Sequence, residues 1–229
     1  MSMYPKVISD YVSQQEADVL IELLDPMARP SPREGIAIAL GWPNSAEAMK
    51  AGITAPPIMH MQPHQENEST EFLGEILRKV KATFEEEFGC EVGLTQANYQ
   101  NMTKGGKNDL HSDTTNLDGS PLQPDGSPEE MEFSGLLYLN NCDEDYIGGN
   151  VLFPKQDLDL RPKRGDLVIF PGDVDHVHQV PEVQSGERKN LVFFYGRVEN
   201  VGSEKSFYDW QDMPPEEQEK IRANAQREQ

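Results

Sequence analysis

After Gly89 the chain breaks into short apolar runs, and their spacing constrains the fold more than any other feature. "EVGLTQANYQNM", "FSGLLYLNN", "NVLFP", "DLDLRP", "GDLVIFPG", "HVHQVPEV" and "KNLVFFYGRV" are rich in Val, Leu and Phe and are separated by Gly, Pro, Asn and Asp. Runs of this length with such punctuation read as strands. Following one another without helical stretches between them, they predict an antiparallel sandwich or barrel rather than a parallel α/β sheet.

Upstream of Gly89 the pattern is helical. In "VSQQEADVLIELLD", Ser13 and Glu16 have the spacing of a capping box, and Ala17, Leu20, Ile21 and Leu24 fall on one stripe. A second helix is expected over Thr70 to Phe88, where Phe72, Leu73, Ile76, Val80 and Phe84 repeat at helical spacing and Gly89 supplies the stop. Between them, residues 28–68 are rich in Pro, Gly, Ala and Met and keep no period. They predict a long irregular segment, with a short helix near Ser45–Lys50, of the kind that serves as a lid. The tail "MPPEEQEKIRANAQREQ" predicts a polar surface helix at about 213–229. The expected organisation is one domain over 1–229: a helical support region (about 1–89), a β core (about 90–200) and the surface helix.

A chain of 229 residues can bury a stable core without cross-links. Only Cys90 and Cys142 are present, so no disulfide framework is implied and a reducing compartment fits. The beginning of the sequence carries no basic segment followed by an apolar run, and no stretch is apolar enough to span a bilayer. A soluble, cytoplasmic protein is expected. The net charge of −20 argues against nucleic acid as main partner, since phosphate backbones bind Lys and Arg, and equally against anionic membranes.

"NDLHSDTTN" places His111 and Asp113 two residues apart. In an extended chain both point to one side, offering an imidazole nitrogen and a carboxylate oxygen to one point in space. The pair alone says little. "DVDHVHQV" adds His176 and His178, either of which could complete a set of two histidines and a carboxylate. That set is the facial triad of non-haem Fe(II) oxygenases, with open positions left for other ligands. Hydrolytic zinc sites use the same ligands but keep fewer positions open.

Further motifs lie around these residues in a fixed order. "HQVPEVQSGER" runs from His178 to Arg188, "GGNVLFP" spans Gly148 to Pro154, and "RPKRGDLVIFPG" leads into a buried strand. "ANYQNM" carries Tyr99 and "LLYLNN" carries Tyr138. Over roughly residues 90–198 this order resembles the 2-oxoglutarate/Fe(II)-dependent dioxygenases, in their prolyl 4-hydroxylase-like branch. "PKVISDYVSQQEADVLI" matches more weakly. The resemblance implies a mainly β, α+β fold, a distorted double-stranded β-helix (jelly roll, cupin-like) with N-terminal helices packed on one sheet. It implies Fe(II) held by His111, Asp113 and His178, with His176 a partly exposed neighbour of no direct role. It implies 2-oxoglutarate gripped by Arg188 with Tyr99 and Tyr138 as hydroxyl donors, O2 as second cosubstrate and ascorbate as reductant. A guanidinium suits a carboxylate because it is always charged and forks.

The same resemblance implies a peptide or protein substrate containing proline. Phe194 stands where prolyl-specific relatives carry Trp and is expected to touch substrate. An Arg that some relatives carry ahead of the "YLN" strand is missing here. Hydroxylation of another amino-acid side chain or of a small molecule remains the alternative, and a non-catalytic cupin-like binding module is the alternative of another class. "NCDEDY" lacks calcium-loop spacing and reads as a solvated loop. His60 and His64 fall in the expected lid. No Lys or Arg occurs between Lys107 and Lys155, while that span holds ten acidic residues, five of them within 116–132. This predicts an acidic mouth favouring neutral or cationic peptides.

Overall fold

The structure, a computed structural model, describes residues 4–31, 33–39, 68–122 and 131–201. The expected helix near Ser45–Lys50, the lid histidines His60 and His64, most of the 28–68 segment, the centre of the 116–132 insertion and the tail helix at 213–229 lie outside the described residues.

Helix α1 (Gln14–Leu24) begins where its cap predicts. The Glu16 amide donates to the Ser13 side chain, and the Ser13 amide donates to the Glu16 carboxylate. It buries Ala17, Leu20 and Leu24. Helix α2 (Glu68–Phe88) buries Leu73, Ile76, Leu77, Val80 and Phe84, and Gly89 follows it at φ +65°.

Thirteen strands follow in chain order among the described residues: β1 (Lys6–Ile8), β2 (Arg29–Pro30), β3 (Ile36–Ala39), β4 (Val92–Met102), β5 (Asn108–His111), β6 (Phe133–Tyr138), β7 (Tyr146–Gly148), β8 (Val151–Phe153), β9 (Leu158–Leu160), β10 (Leu167–Pro171), β11 (His178–Val180), β12 (Val183–Gly186) and β13 (Arg188–Arg197). The long sheet runs β1-β10-β6-β13-β4-β3-β2 and the shorter one β5-β11-β8-β9, with β12 paired to β7. All strand pairs are antiparallel. This is a distorted double-stranded β-helix with helices on one sheet, as the family resemblance implies. One departure is the start of the 28–68 segment, which is not irregular: β2 and β3 form a hairpin that extends the long sheet at β4. Both are too short to leave a periodic signal.

The outer face of the long sheet takes the helices. Leu20, Leu24, Leu73, Val80 and Phe84 pack there on Ala97, Leu137, Ile169, Leu191 and Phe193. The inner face meets the short sheet through Leu136, Val168, Phe170 and Val192 against Val151 and Phe153.

A bulge in β4 decides which residues face which way. Phe194 pairs with Gln96 and Tyr195 with Leu94, so Thr95 is an extra residue on β4. Val92 and Leu94 face the helices before it, and Ala97 and Tyr99 face them after it. A side-chain parity counted from Val92 would put Tyr99 on the inner face, and the bulge reverses it. Tyr99 is fully buried under the helices, and its hydroxyl donates to Asp25 Oδ1 at 2.8 Å. The expectation that Tyr99 contacts the cosubstrate is therefore corrected: it faces away from the inner cavity.

Asp25, just beyond α1, ties that helix to the sheet. It also accepts from Asn101 Nδ2 at 3.1 Å and from Lys189 Nζ at 2.6 Å. Burial pushes its carboxyl up, but the Lys189 ammonium and the Tyr99 and Asn101 donors together hold it below its ordinary value. Its stabilisation is therefore complete above the ordinary carboxylate range and is lost as pH falls through the depressed value. Asp25→Ala should cost about 1–3 kcal/mol at neutral pH, because the buried Tyr99 hydroxyl loses its acceptor. The gap from wild type should narrow below about pH 4. Urea unfolding at the two pH values measures both.

Candidate metal and cosubstrate site

Three of the sequence-predicted residues meet between the two sheets. His111 ends β5, His178 begins β11, and the antiparallel register sets them opposite each other, ring centroids 4.3 Å apart. Asp113 sits just past β5. Its amide and that of Thr114 donate to the Gly172 carbonyl at 3.0 Å each, and the Ser112 and Thr114 hydroxyls donate to the same oxygen. This anchor turns the Asp113 carboxylate inward. Oδ1 lies 3.5 Å from His111 Nε2, and Oδ2 lies 3.9 Å from His178 Nε2. One ligand atom from each of the three lies within 4.8 Å of the others.

Both imidazoles are held so that Nε2 faces the shared point. His111 Nδ1 is 2.7 Å from the Asp109 carbonyl and His178 Nδ1 is 3.1 Å from the His176 carbonyl. A carbonyl can only accept, so each Nδ1 carries the proton and each Nε2 keeps its lone pair inward. His178 is fixed further by the edge of Phe170, at 4.8 Å. Burial pushes its imidazolium down, and the Asp113 charge only partly offsets this. Burial also disfavours the His111 imidazolium, but there the Asp113 contact outweighs it and raises the pKa. Burial would raise Asp113; the His111 contact, the His178 charge and the Ser134 hydroxyl hold it below its ordinary value.

His176 is buried rather than partly exposed. Its Nδ1 lies 2.6 Å from Asp173 Oδ1, and its backbone carbonyl orients His178. The sequence could not separate its side chain, which packs inward, from a solvent-facing neighbour.

Arg188 opens β13 and is 1% exposed, which makes its environment diagnostic. Nη1 donates to Asn190 Oδ1 at 2.6 Å and to the Met102 sulfur at 3.6 Å, and Nη2 donates to the Tyr138 hydroxyl at 3.0 Å. Its Nε has no partner, and among the described residues no carboxylate pairs with it. A buried cation without an anion is costly. Burial disfavours its charge, and the Tyr138 and Tyr146 hydroxyls around it favour it more. The donor set therefore fits an anionic ligand, and the triad fits a divalent metal. The residues match an Fe(II)/2-oxoglutarate pair on these grounds. Gly149, at φ +61°, is needed for this packing, because a Cβ there would lie 3.1 Å from Arg188 Cδ and 2.8 Å from Val183.

One cavity of about 230 Å³ joins the two halves, lined by His111, Asp113 and His178 at one part and by Arg188 at another. Phe194 lines it as well. Tyr138 is fully buried with its hydroxyl on Arg188. The sequence reading missed Ser134, whose hydroxyl donates to Asp113 Oδ2 at 2.6 Å, and the carboxamides Gln96, Asn98 and Gln100. In "FSGLLY" and "LTQANYQNM" they look like ordinary strand residues, and no local signal marks them. Asp125, Glu129 and Glu130 of the predicted acidic mouth lie outside the described residues. Of the described acids in the 107–155 span only Asp113 lines the cavity, and the other charged lining groups, Arg33 and Arg188, are cationic. In "NCDEDY", Asp143 pairs with Arg161 on the surface and binds no inward group.

Comparisons with known proteins agree with this geometry. Residues 97–196 match the model of the 2OG-Fe(II) oxygenase superfamily, a span that contains all four of His111, Asp113, His178 and Arg188. No curated protein matches the chain by sequence. Among solved structures, the viral collagen prolyl hydroxylase vCPH of Paramecium Bursaria Chlorella virus-1, in its 2OG complex, is 16% identical with TM-score 0.58, covering 83% of this chain and 93% of that one. A Trichoplax adhaerens prolyl hydroxylase, in complex with a hypoxia inducible factor oxygen degradation domain peptide fragment, is 14% identical with TM-score 0.57, covering 87% of each chain. HygX from Streptomyces hygroscopicus, with nickel, 2-oxoglutarate and hygromycin B bound, is 12% identical with TM-score 0.52, covering 84% and 82%. These likenesses show the shared fold. The family match agrees with the resemblance to 2-oxoglutarate/Fe(II) dioxygenases read from the sequence.

Ser134→Ala should weaken Fe(II) or Mn(II) binding by about tenfold, because it frees the carboxylate that the hydroxyl orients. A metal titration followed by protein fluorescence measures it, and Ser134→Thr, which keeps the hydroxyl, should recover much of the loss.

Proposed function

We propose that the protein hydroxylates a peptide substrate, prolyl residues first, using O2 and 2-oxoglutarate at Fe(II) held by His111, Asp113 and His178. The observation that carries this reading is the buried, anion-free Arg188 sharing one cavity with the three converging ligands. When bound, ferrous iron and 2-oxoglutarate supply the oxidation, the keto acid leaving as succinate and CO2 while one oxygen atom of O2 becomes the product hydroxyl.

The chain's own residues do the rest. Deprotonated Nε2 atoms on His111 and His178 and the ionised Asp113 would supply one face of the metal's coordination. Arg188 would fork onto the far carboxylate of the keto acid. Tyr138, already donated to by Arg188, would turn its own hydroxyl hydrogen toward that carboxylate. Val192, Leu136 and Phe170 keep the surrounding wall apolar and limit water. Ascorbate would keep iron ferrous. A reducing, cytoplasmic setting accords with two free cysteines.

The prolyl preference is supported by likeness to prolyl hydroxylases and by Phe194, a flat apolar surface that suits a pyrrolidine ring. Hydroxylation of another side chain or of a small molecule is the second reading, favoured by the three carboxamides on the cavity wall. A binding module without catalysis would have little physical reason to keep Arg188 buried without a carboxylate beside an intact triad.

With Fe(II), ascorbate and 2-oxoglutarate, the protein should form succinate slowly without substrate. Arg188→Gln should raise the Kd for 2-oxoglutarate by at least about 30-fold, and His178→Ala should abolish turnover. Absence of both binding and turnover in the wild type would sink the enzyme reading. Incubation with a proline-rich peptide library, read by mass spectrometry for one added oxygen located on proline, tests the prolyl preference.

A further inference from the structure

We infer that the inner face of β4 is the substrate-recognition wall and that Asn98 receives an N–H donor from the substrate, a role that rests on the proposed function and names the class of substrate it takes. After the bulge at Thr95, three successive inward positions of β4 are carboxamides: Gln96, Asn98 and Gln100. Their partners across the register include Val192, opposite Asn98, and Phe194, opposite Gln96. Neither side chain offers a hydrogen bond.

Asn98 is 5% exposed, and its Oδ1 has no hydrogen-bond partner. It lines the cavity, and no described residue donates to it. Neither the metal nor the cosubstrate accounts for it. The metal is served by the triad, and the keto acid's anionic end is served by Arg188. A buried acceptor left open beside an aromatic plate describes a ligand with an apolar body next to an N–H group. Arg33, exposed at the rim with Nη1 on Asn108 Oδ1 at 2.7 Å, adds a cation suited to a carbonyl or carboxylate oxygen. The combination is that of an amide-bearing residue. Because proline in a chain has no N–H of its own, the donor would come from the residue after it.

A pair of probes differing by a single N–H tests this: N-acetylproline methylamide and N-acetylproline methyl ester. Their binding is measured by anaerobic titration of the protein loaded with Mn(II) and 2-oxoglutarate. The wild type should bind the methylamide about tenfold more tightly than the ester, because a site built to take a hydrogen bond rejects the analogue lacking it. Asn98→Leu should bind the two alike while keeping its affinity for Mn(II) and 2-oxoglutarate, and Asn98→Asp, which keeps the acceptor, should retain the preference. Equal binding of both probes by the wild type, binding of neither, or a preference that survives Asn98→Leu overturns the inference. Loss of Mn(II) and 2-oxoglutarate binding in the wild type would instead overturn the proposed function. The two failures are thereby separate.

Discussion

Strand β13 is hydrogen-bonded on both sides, to β4 from Arg188–Met102 through Arg197–Val92 and to β6 from Asn190–Tyr138 through Tyr195–Phe133. The site is arranged around this central pairing. It places Arg188 at the strand's entry, within reach of Tyr138 on β6 and Met102 on β4. It sets Val192 beside Asn98 and Phe194 beside Gln96. It also gives the helices a sheet to cover, because Leu191, Phe193 and Tyr195 lie on its other face. One strand therefore serves the core with its odd positions and the cavity with its even ones.

The two halves of the site are built by different means. The half around Arg188 sits on the long strands β4, β6 and β13, with Arg188, Tyr138 and Met102 buried. The metal half hangs on a four-residue strand, a three-residue strand and a bend. Its precision comes instead from hydrogen bonds: carbonyls of Asp109 and His176 on the imidazoles, the Gly172 carbonyl on the Asp113 bend, and Ser134 on the carboxylate. Short strands cannot fix side chains by register alone, so polar contacts to rigid neighbours do the positioning.

Much of the architecture was legible because it rests on local rules. The Ser13–Glu16 cap, the stripes of α1 and α2, and the strands with apolar runs all appear where their periodicity places them. The short strands β1, β2, β3, β5, β7 and β12 were not legible as such, since two to four residues carry no period and several are polar. The His111–Asp113 pair could be read from its spacing on an extended chain, and the family resemblance chose His178 over His176 as the third ligand. Ser134 and Asn98 could not, because a serine or asparagine in a strand acquires meaning only from what lies across the cavity.

Sequence alone determined which residues could ligate and which could pack: His111, Asp113 and His178 as donors, Arg188 as an always-charged fork, and the apolar stripes as core. Tertiary structure decided which side of the sheet each β4 residue occupies. One extra residue at Thr95 inverts the alternation, sending Tyr99 to Asp25 beneath the helices and Asn98 into the cavity. A strand's parity has a period of two, so a single bulge reverses every later position. Nothing in the order of the residues announces it, because the bulge is defined only by the partner strand it fails to match.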